Sequence, residues 1–242
     1  MQSAEVNLKD RSFWRDARME KSGFWGGLTN RFAGDIKNLD NRRSFLKLPM
    51  LENKTGMFLS QVHGTKIFRA TLKKSNEVPA GLEGDGWVCD EPGVIPCVLV
   101  ADSLPVFIWD LNGKSFGVFH AGWKGLAAGF ARIAASEMAK NFNLEARDLM
   151  ASVGPHIGAC CYRVGPEFQN FFSEASFQKK KDTLCLDMGF EAKSQLSQAG
   201  LQENNILISP DCTFCSGNYF SYRAGQAGRM AAFMTFAHHK EQ

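Results

Sequence analysis

The sequence predicts an α/β protein built on a mixed sheet. Three observations carry this expectation. Val94–Ala101 reads VIPCVLVA, a near-continuous apolar run of the kind found in a strand buried on both faces. Val106–Trp109 and Phe116–Phe119 flank Asn112-Gly113, a hairpin signal that makes this pair of strands antiparallel. Elsewhere, strand patterns alternate with helical ones.

The elements follow in order. Met57–Val62 is a short apolar run, His63-Gly64 turns the chain, and Lys66–Ala70 resumes as a strand. After the glycine-rich stretch His120–Gly125, a helix is expected from about Leu126 to Phe142, with Phe130, Ile133, Ala134 and Met138 on one face. Leu149–Val153 reads as a strand, and Pro166 opens a helix through Phe171. Asp187–Ala199 is a further helical candidate and Ile206–Ile208 a late strand. Gln226–Phe236 is expected to close the chain as a helix.

Composition narrows the function classes. The 242 residues suit one domain spanning 1–242, and no linker or repeat divides them. A net charge of +3 is too small for a nucleic-acid footprint, and Lys179-Lys180-Lys181 reads as a solvated turn. The N-terminus lacks the apolar core of a signal peptide, and no segment reaches the length of a membrane span. Seven cysteines, an odd number in such a chain, point to reduced thiols and a cytoplasmic location. Twenty phenylalanines imply a thick aromatic core, some of them facing a pocket for a flat ligand.

Among the five histidines, His238 and His239 sit in a polar tail, and His156 reads as a loop residue. His63 and His120 each stand where a strand stops, the place where sites collect in sheet folds. The segment His120-Ala-Gly-Trp-Lys-Gly125 runs from strand to helix and could hold an anion on free N–H groups beside Lys124, or serve as a tight connection with Trp123 packing. Asp85, between two glycines, and Asp102, directly after the buried strand, are either site carboxylates or turn and cap residues. Cys212-Thr-Phe-Cys215 is half of a zinc ribbon without a second pair of matching spacing, and Cys160-Cys161 are adjacent; buried reduced thiols that bind no metal are the expectation.

Taken together, these segments resemble the YfiH-type family of laccase-domain, multicopper-polyphenol-oxidase-like proteins. The motifs that carry the resemblance are Gln61-Val-His-Gly64, Gly84-Asp-Gly86, Ala101-Asp-Ser-Leu-Pro-Val106 and His120-Ala-Gly-Trp-Lys-Gly125. Val153-Gly-Pro-His-Ile-Gly158, Cys161-Tyr-Arg-Val-Gly165, Asp211-Cys-Thr213 and Tyr219-Phe-Ser-Tyr-Arg223 complete the set, from about Gly26 to residue 236. The resemblance implies a layered α/β sandwich like that of the cytotoxic-necrotizing-factor deamidases. It implies Zn²⁺, with copper reported for some members, held by His63, His120 and the residue at position 103. It also implies purine nucleoside phosphorolysis to base and ribose 1-phosphate, with adenosine deamination and methylthioadenosine cleavage as further activities. Asp85, Asp102, Lys124, Tyr162 and Arg223 are the candidates for holding substrate, and phosphate is expected to dock at a helix start after Gly125. The implied partners are a purine nucleoside and phosphate, with no nucleic acid and no membrane; a homodimer is compatible with the sequence.

The sequence departs from the family at one telling place. Ser103 stands where the family motif carries cysteine, and an alcohol is a poor zinc ligand and a weak nucleophile without a base. Lys124 replaces a more usual Arg, and the early motif is reduced to Ile36-Lys-Asn-Leu39. Ser103 therefore predicts weakened metal binding and impaired activity. The alternatives are a Cys/His-type amide hydrolase acting on cell-wall precursors, a copper-dependent polyphenol oxidase, and a binding homologue without turnover. A further variant makes Ser103 itself a nucleophile activated by His120.

Overall fold

A computed structural model describes residues 13–72, 81–180 and 182–237; His238, His239 and Lys181 lie outside the described residues. Two large sheets stack face to face. The first runs β1 (Phe13–Trp14), β2 (Phe24–Thr29), β14 (Met230–Phe236), β6 (Val94–Val100) and β3 (Thr55–Phe58). The second runs β13 (Ile206–Ile208), β9 (Leu149–Val153), β7 (Leu104–Asp110), β8 (Phe116–Ala121), β5 (Gly86–Cys89) and β4 (Ile67–Arg69). A small third sheet joins β10 (Arg163–Val164), β12 (Thr183–Leu186) and β11 (Phe177–Lys180), so Lys179 and Lys180 belong to a strand rather than a turn.

Both large sheets are mixed, as the hairpin predicted. The pairs β3–β6, β4–β5 and β13–β9 are parallel, whereas β7–β8 is antiparallel, with Val106 opposite Phe119. The β6 run has apolar neighbours on both sides. Val94, Val98 and Val100 meet Trp87, Phe107, Trp109 and Phe116 between the sheets. Ile95 and Cys97 face outward under Ile36, Phe45 and Leu51, where α2 (Leu39–Leu46) and the following turn form a cover. The outer face of the second sheet packs Val106, Ile108 and Phe119 against α4 (Phe130–Phe142) and α5 (Met188–Gln198). Helix, sheet, sheet and helix thus form four layers with three apolar seams, the burial that supplies most of the folding free energy.

Three expectations require correction. Gln226–Phe236 is not a helix: Met230–Phe236 forms β14, paired antiparallel to β2 and β6 at the centre of the first sheet. Its Ala and Met residues favour a helix locally, but Met230, Ala232 and Met234 enter one seam while Ala231 and Phe233 enter the next. With both faces buried, no polar alternation marks the strand. The helix expected from Leu126 is two: α3 (Trp123–Ala127) and α4 are separated at Gly129, whose φ of 79° is left-handed. Pro166 opens only a 3₁₀ helix, Pro166–Asn170. A short helix, α1 (Ala17–Lys21), precedes β2.

Candidate functional site

The site forms where β6 and β8 end. Asp85, the residue before β5, is fully buried, and its carboxylate collects the loop that precedes β4. It accepts hydrogen bonds from the backbone N–H groups of Val62 at 3.3 Å, His63 at 3.0 Å and Gly64 at 2.7 Å. Successive N–H groups converging on one anion require an unusual backbone, and His63 supplies it with φ of 58°. Gln61 anchors the same loop to β6: its amide donates to the Leu99 carbonyl at 2.8 Å and accepts from the Leu99 N–H at 2.6 Å, imitating a strand neighbour.

Asp85 also holds His120. The His120 Nδ1 lies 2.8 Å from Asp85 Oδ1, and the His120 backbone N–H donates to the Asp85 carbonyl at 2.7 Å. A buried carboxylate at Nδ1 favours the tautomer protonated there, which leaves Nε2 with its lone pair. Burial alone would raise the Asp85 pKa; the hydrogen bond from His120, then those from Gly64 and Val62, outweigh it and hold the carboxyl below its ordinary value. The His63 and His120 rings meet edge to face with centroids 4.8 Å apart. Although much of His63 is open to solvent, desolvation by the surrounding wall lowers its pKa, and His120 adds to the effect.

Asp102 is the second organising carboxylate. Thr213 Oγ1 donates to one oxygen at 2.6 Å; Ser221 Oγ at 3.0 Å and the Arg223 N–H at 2.7 Å donate to the other. Asp102 has φ of 78°, a left-handed conformation that a β-branched residue tolerates poorly. That turn presents Ser103 to the cavity while the Asp102 side chain ties down the loop at residues 213–223.

His63, Ser103 and His120 line one cavity of about 700 Å³, together with Asp102, Lys124, Tyr162 and Arg223. Asp85 does not line it; it stands behind His120. Sequence reasoning missed Lys37, Arg229, Tyr222 and Gln61, which also face the cavity. Gln61 and Tyr222 stood inside recognised motifs, and Lys37 in the reduced early one; Arg229 carried no local signal. Lys37, Lys124, Arg223 and Arg229 give the wall four cationic side chains, none in an ion pair among the described residues. The phenylalanines expected beside a flat ligand are absent from this wall. Its aromatic members are Trp123, Tyr162 and Tyr222, the last 70% exposed, and the Arg223 guanidinium lies 4.8 Å from the Tyr162 ring centroid. Burial pushes the Tyr162 hydroxyl pKa up.

The helix start expected after Gly125 falls earlier, at Trp123. Gly125 is buried within α3, which begins at Trp123 with Gly122 as its cap. Gly122 has a different reason to be glycine, since a Cβ there would lie 2.6 Å from His63 Nδ1.

The donor set at this site does not match a zinc centre of the expected kind. His63 and His120 offer imidazoles and Ser103 an alcohol, and no third His, Cys, Asp or Glu donor joins them among the described residues. The Asp85 and Asp102 oxygens are engaged in the hydrogen bonds above. The cysteines depart from the expectation of buried thiols. Cys160, Cys161, Cys212 and Cys215 come together, their sulfurs all within 4.8 Å of one another, and Cys160 and Cys215 are exposed. Counting spacings along the chain could not find this group, because its halves lie on two loops that meet only in the fold. His156 joins those loops and is itself buried, its Nδ1 2.9 Å from the Gly154 carbonyl.

Fold and site define a layered α/β sandwich protein with paired histidines on the wall of a cation-lined cavity. Residues 34–237 match the family described as multi-copper polyphenol oxidoreductase laccase, and the chain belongs to that family. It is 30% identical over 203 residues to "Purine nucleoside phosphorylase YfiH" of Escherichia coli K12, covering 81% of this chain and 79% of that protein. It is 28% identical over 247 residues to "Purine nucleoside phosphorylase YlmD" of Geobacillus stearothermophilus, covering 88% and 90%. The fold matches the crystal structure of the Bacillus licheniformis hypothetical protein YfiH with a TM-score of 0.84 at 23% identity, over 95% of this chain and 98% of that one. No helix among the described residues is long and apolar enough to cross a membrane.

Proposed function

We propose that the chain is a purine nucleoside phosphorylase. The observation that carries this reading is the joint lining of one cavity by His120, backed by Asp85, and by four cations, Lys37, Lys124, Arg223 and Arg229, that have no carboxylate partner among the described residues. Phosphate suits the cations, and a purine suits the faces of Trp123 and Tyr222. The names of the two relatives point the same way.

In this reading the cations hold phosphate beside the anomeric carbon of the nucleoside. The C1′–N9 bond breaks and a C1′–O bond to phosphate forms. His120 Nε2, carrying a lone pair at rest, accepts a proton from the bound phosphate and passes it to the purine nitrogen as the base leaves, which returns the ring to its neutral form. Asp85 stabilises the ring while it is charged. Ser103 offers a hydroxyl to the substrate from the same wall. Adenosine and methylthioadenosine belong to the same substrate class. Adenosine deamination by metal-activated water finds less support, because the donors here are two imidazoles and an alcohol. The test is base release from inosine and adenosine with and without phosphate: release must require phosphate, and release without it contradicts the reading.

A second reading rests on the same buried Asp85–His120 pair. With Ser103 on the shared wall, the three residues are the parts of a serine nucleophile system. In that case a fluorophosphonate probe labels wild-type chain but not Ser103→Ala, and nucleosides are not cleaved.

A further inference from the structure

The four cysteines lie apart from the chemistry above and call for their own account. Cys160 and Cys161 sit on the loop between β9 and β10, while Cys212 and Cys215 follow β13. The two loops are stitched together by backbone: the His156 N–H donates to the Asp211 carbonyl at 3.3 Å and the Thr213 N–H to the His156 carbonyl at 3.0 Å. Each loop brings two sulfurs to one place.

We infer that these four cysteines form a structural zinc site, independent of the histidine-lined cavity. Four thiolates about 2.3 Å from a tetrahedral zinc stand roughly 3.8 Å from one another. Cys160 and Cys215 sulfurs are 3.8 Å apart, and all four lie within 4.8 Å, so closing on an ion requires only small side-chain movements. The backbone around Cys212 favours its thiolate, whereas burial holds the Cys160 and Cys161 thiols above their ordinary range until a metal displaces their protons. The N–H groups of Gly158, Phe214 and Cys215 are directed at the Cys212 sulfur, which lies 3.3 Å from the Gly158 nitrogen. Backbone donors around a coordinating sulfur stabilise its negative charge. The exposure of Cys160 and Cys215 gives the ion a way in. Soft sulfur donors in a tetrahedral set select zinc over calcium, magnesium or manganese.

The site has a positioning role. Thr213 lies between Cys212 and Cys215 and donates to Asp102, and Tyr162 follows Cys161 directly onto the cavity wall. A metal here fixes both loops without touching substrate.

The test is metal analysis of the full chain, purified under reducing conditions and supplied with one equivalent of zinc. One zinc per chain is expected, retained in His63→Ala and His120→Ala, and reduced at least tenfold in Cys160→Ser/Cys215→Ser. Since that variant could fail to fold, the wild-type chain is also loaded with cobalt(II), and the intense visible bands of a tetrahedral cobalt thiolate are expected. Zinc that disappears with His120→Ala but survives in the double cysteine variant overturns the inference. So do four freely titratable thiols in zinc-supplemented protein, a Cys160–Cys215 disulfide in protein never exposed to oxidant, and iron as the metal purified with the chain.

Discussion

Asp85 and His120 form a buried pair, carboxylate oxygen to Nδ1 at 2.8 Å, and the same carboxylate receives three backbone N–H groups from the loop that carries His63. One side chain thereby sets the tautomer of one histidine and the backbone of the other. Asp85→Asn presents an amide N–H₂ to His120 or withdraws an acceptor from the loop. The expected outcome is a fall in kcat of about 100-fold or more, since a histidine in the wrong tautomer cannot move its proton. The measurement is steady-state kinetics beside circular dichroism, and wild-type kcat in the folded variant contradicts the assignment.

Gly122→Ala tests the close approach to His63. The backbone φ of −70° accepts alanine, so the only conflict is the 2.6 Å contact with His63 Nδ1. His63 must turn aside. The expected cost is roughly 10- to 100-fold in kcat/KM, on the scale of a misplaced catalytic group, with Tm nearly unchanged. A variant with full kcat/KM shows that His63 is not needed where it stands.

How legible all this was from the chain depends on the kind of signal each part leaves. Val94–Val100 and the Asn112-Gly113 hairpin were readable because buried strands and tight turns mark their own residues. Met230–Phe236 was not, because a strand buried on both faces and rich in Ala and Met lacks the alternation that separates strand from helix. Within the site, His63, Ser103 and His120 stood in recognisable motifs. The role of Asp85 as a support behind His120 depends on three-dimensional packing, and Arg229 joins the wall only through the place of β14 in the sheet. The four cysteines are the sharpest case: two adjacent residues and a C-x-x-C pair fit no ribbon spacing, yet the loops bring them together.

The cationic wall predicts a charge-specific effect. Lys124→Ala and Arg229→Ala are each expected to raise the KM for phosphate about tenfold, equivalent to about 1.4 kcal/mol, and to leave the nucleoside KM within about twofold. The phosphate KM should also rise with ionic strength in wild type and less so in the variants. Equal effects on both substrates contradict phosphate binding at this wall.

The lowered pKa of His63 fixes a direction for stability against pH. A histidine whose folded pKa is below its ordinary 6.5 favours the fold when neutral, so its contribution is full above pH 6.5 and is lost as pH falls through the folded value. Buried His156, lowered by desolvation, acts in the same sense. Asp85, also lowered, keeps its contribution until pH falls below its ordinary 3.8. Tm is therefore expected to fall between pH 7 and pH 5, and His63→Gln should flatten part of that fall. An identical slope in His63→Gln removes His63 from the account.

The most direct measurement of the central claim is ³¹P NMR of the products formed from inosine and phosphate by the wild-type chain, Ser103→Cys, Ser103→Ala and His120→Ala. The account predicts ribose 1-phosphate from wild type in amounts matching the hypoxanthine released, more from Ser103→Cys, and none above background from His120→Ala. Free ribose in place of ribose 1-phosphate, or equal product from His120→Ala, would contradict it.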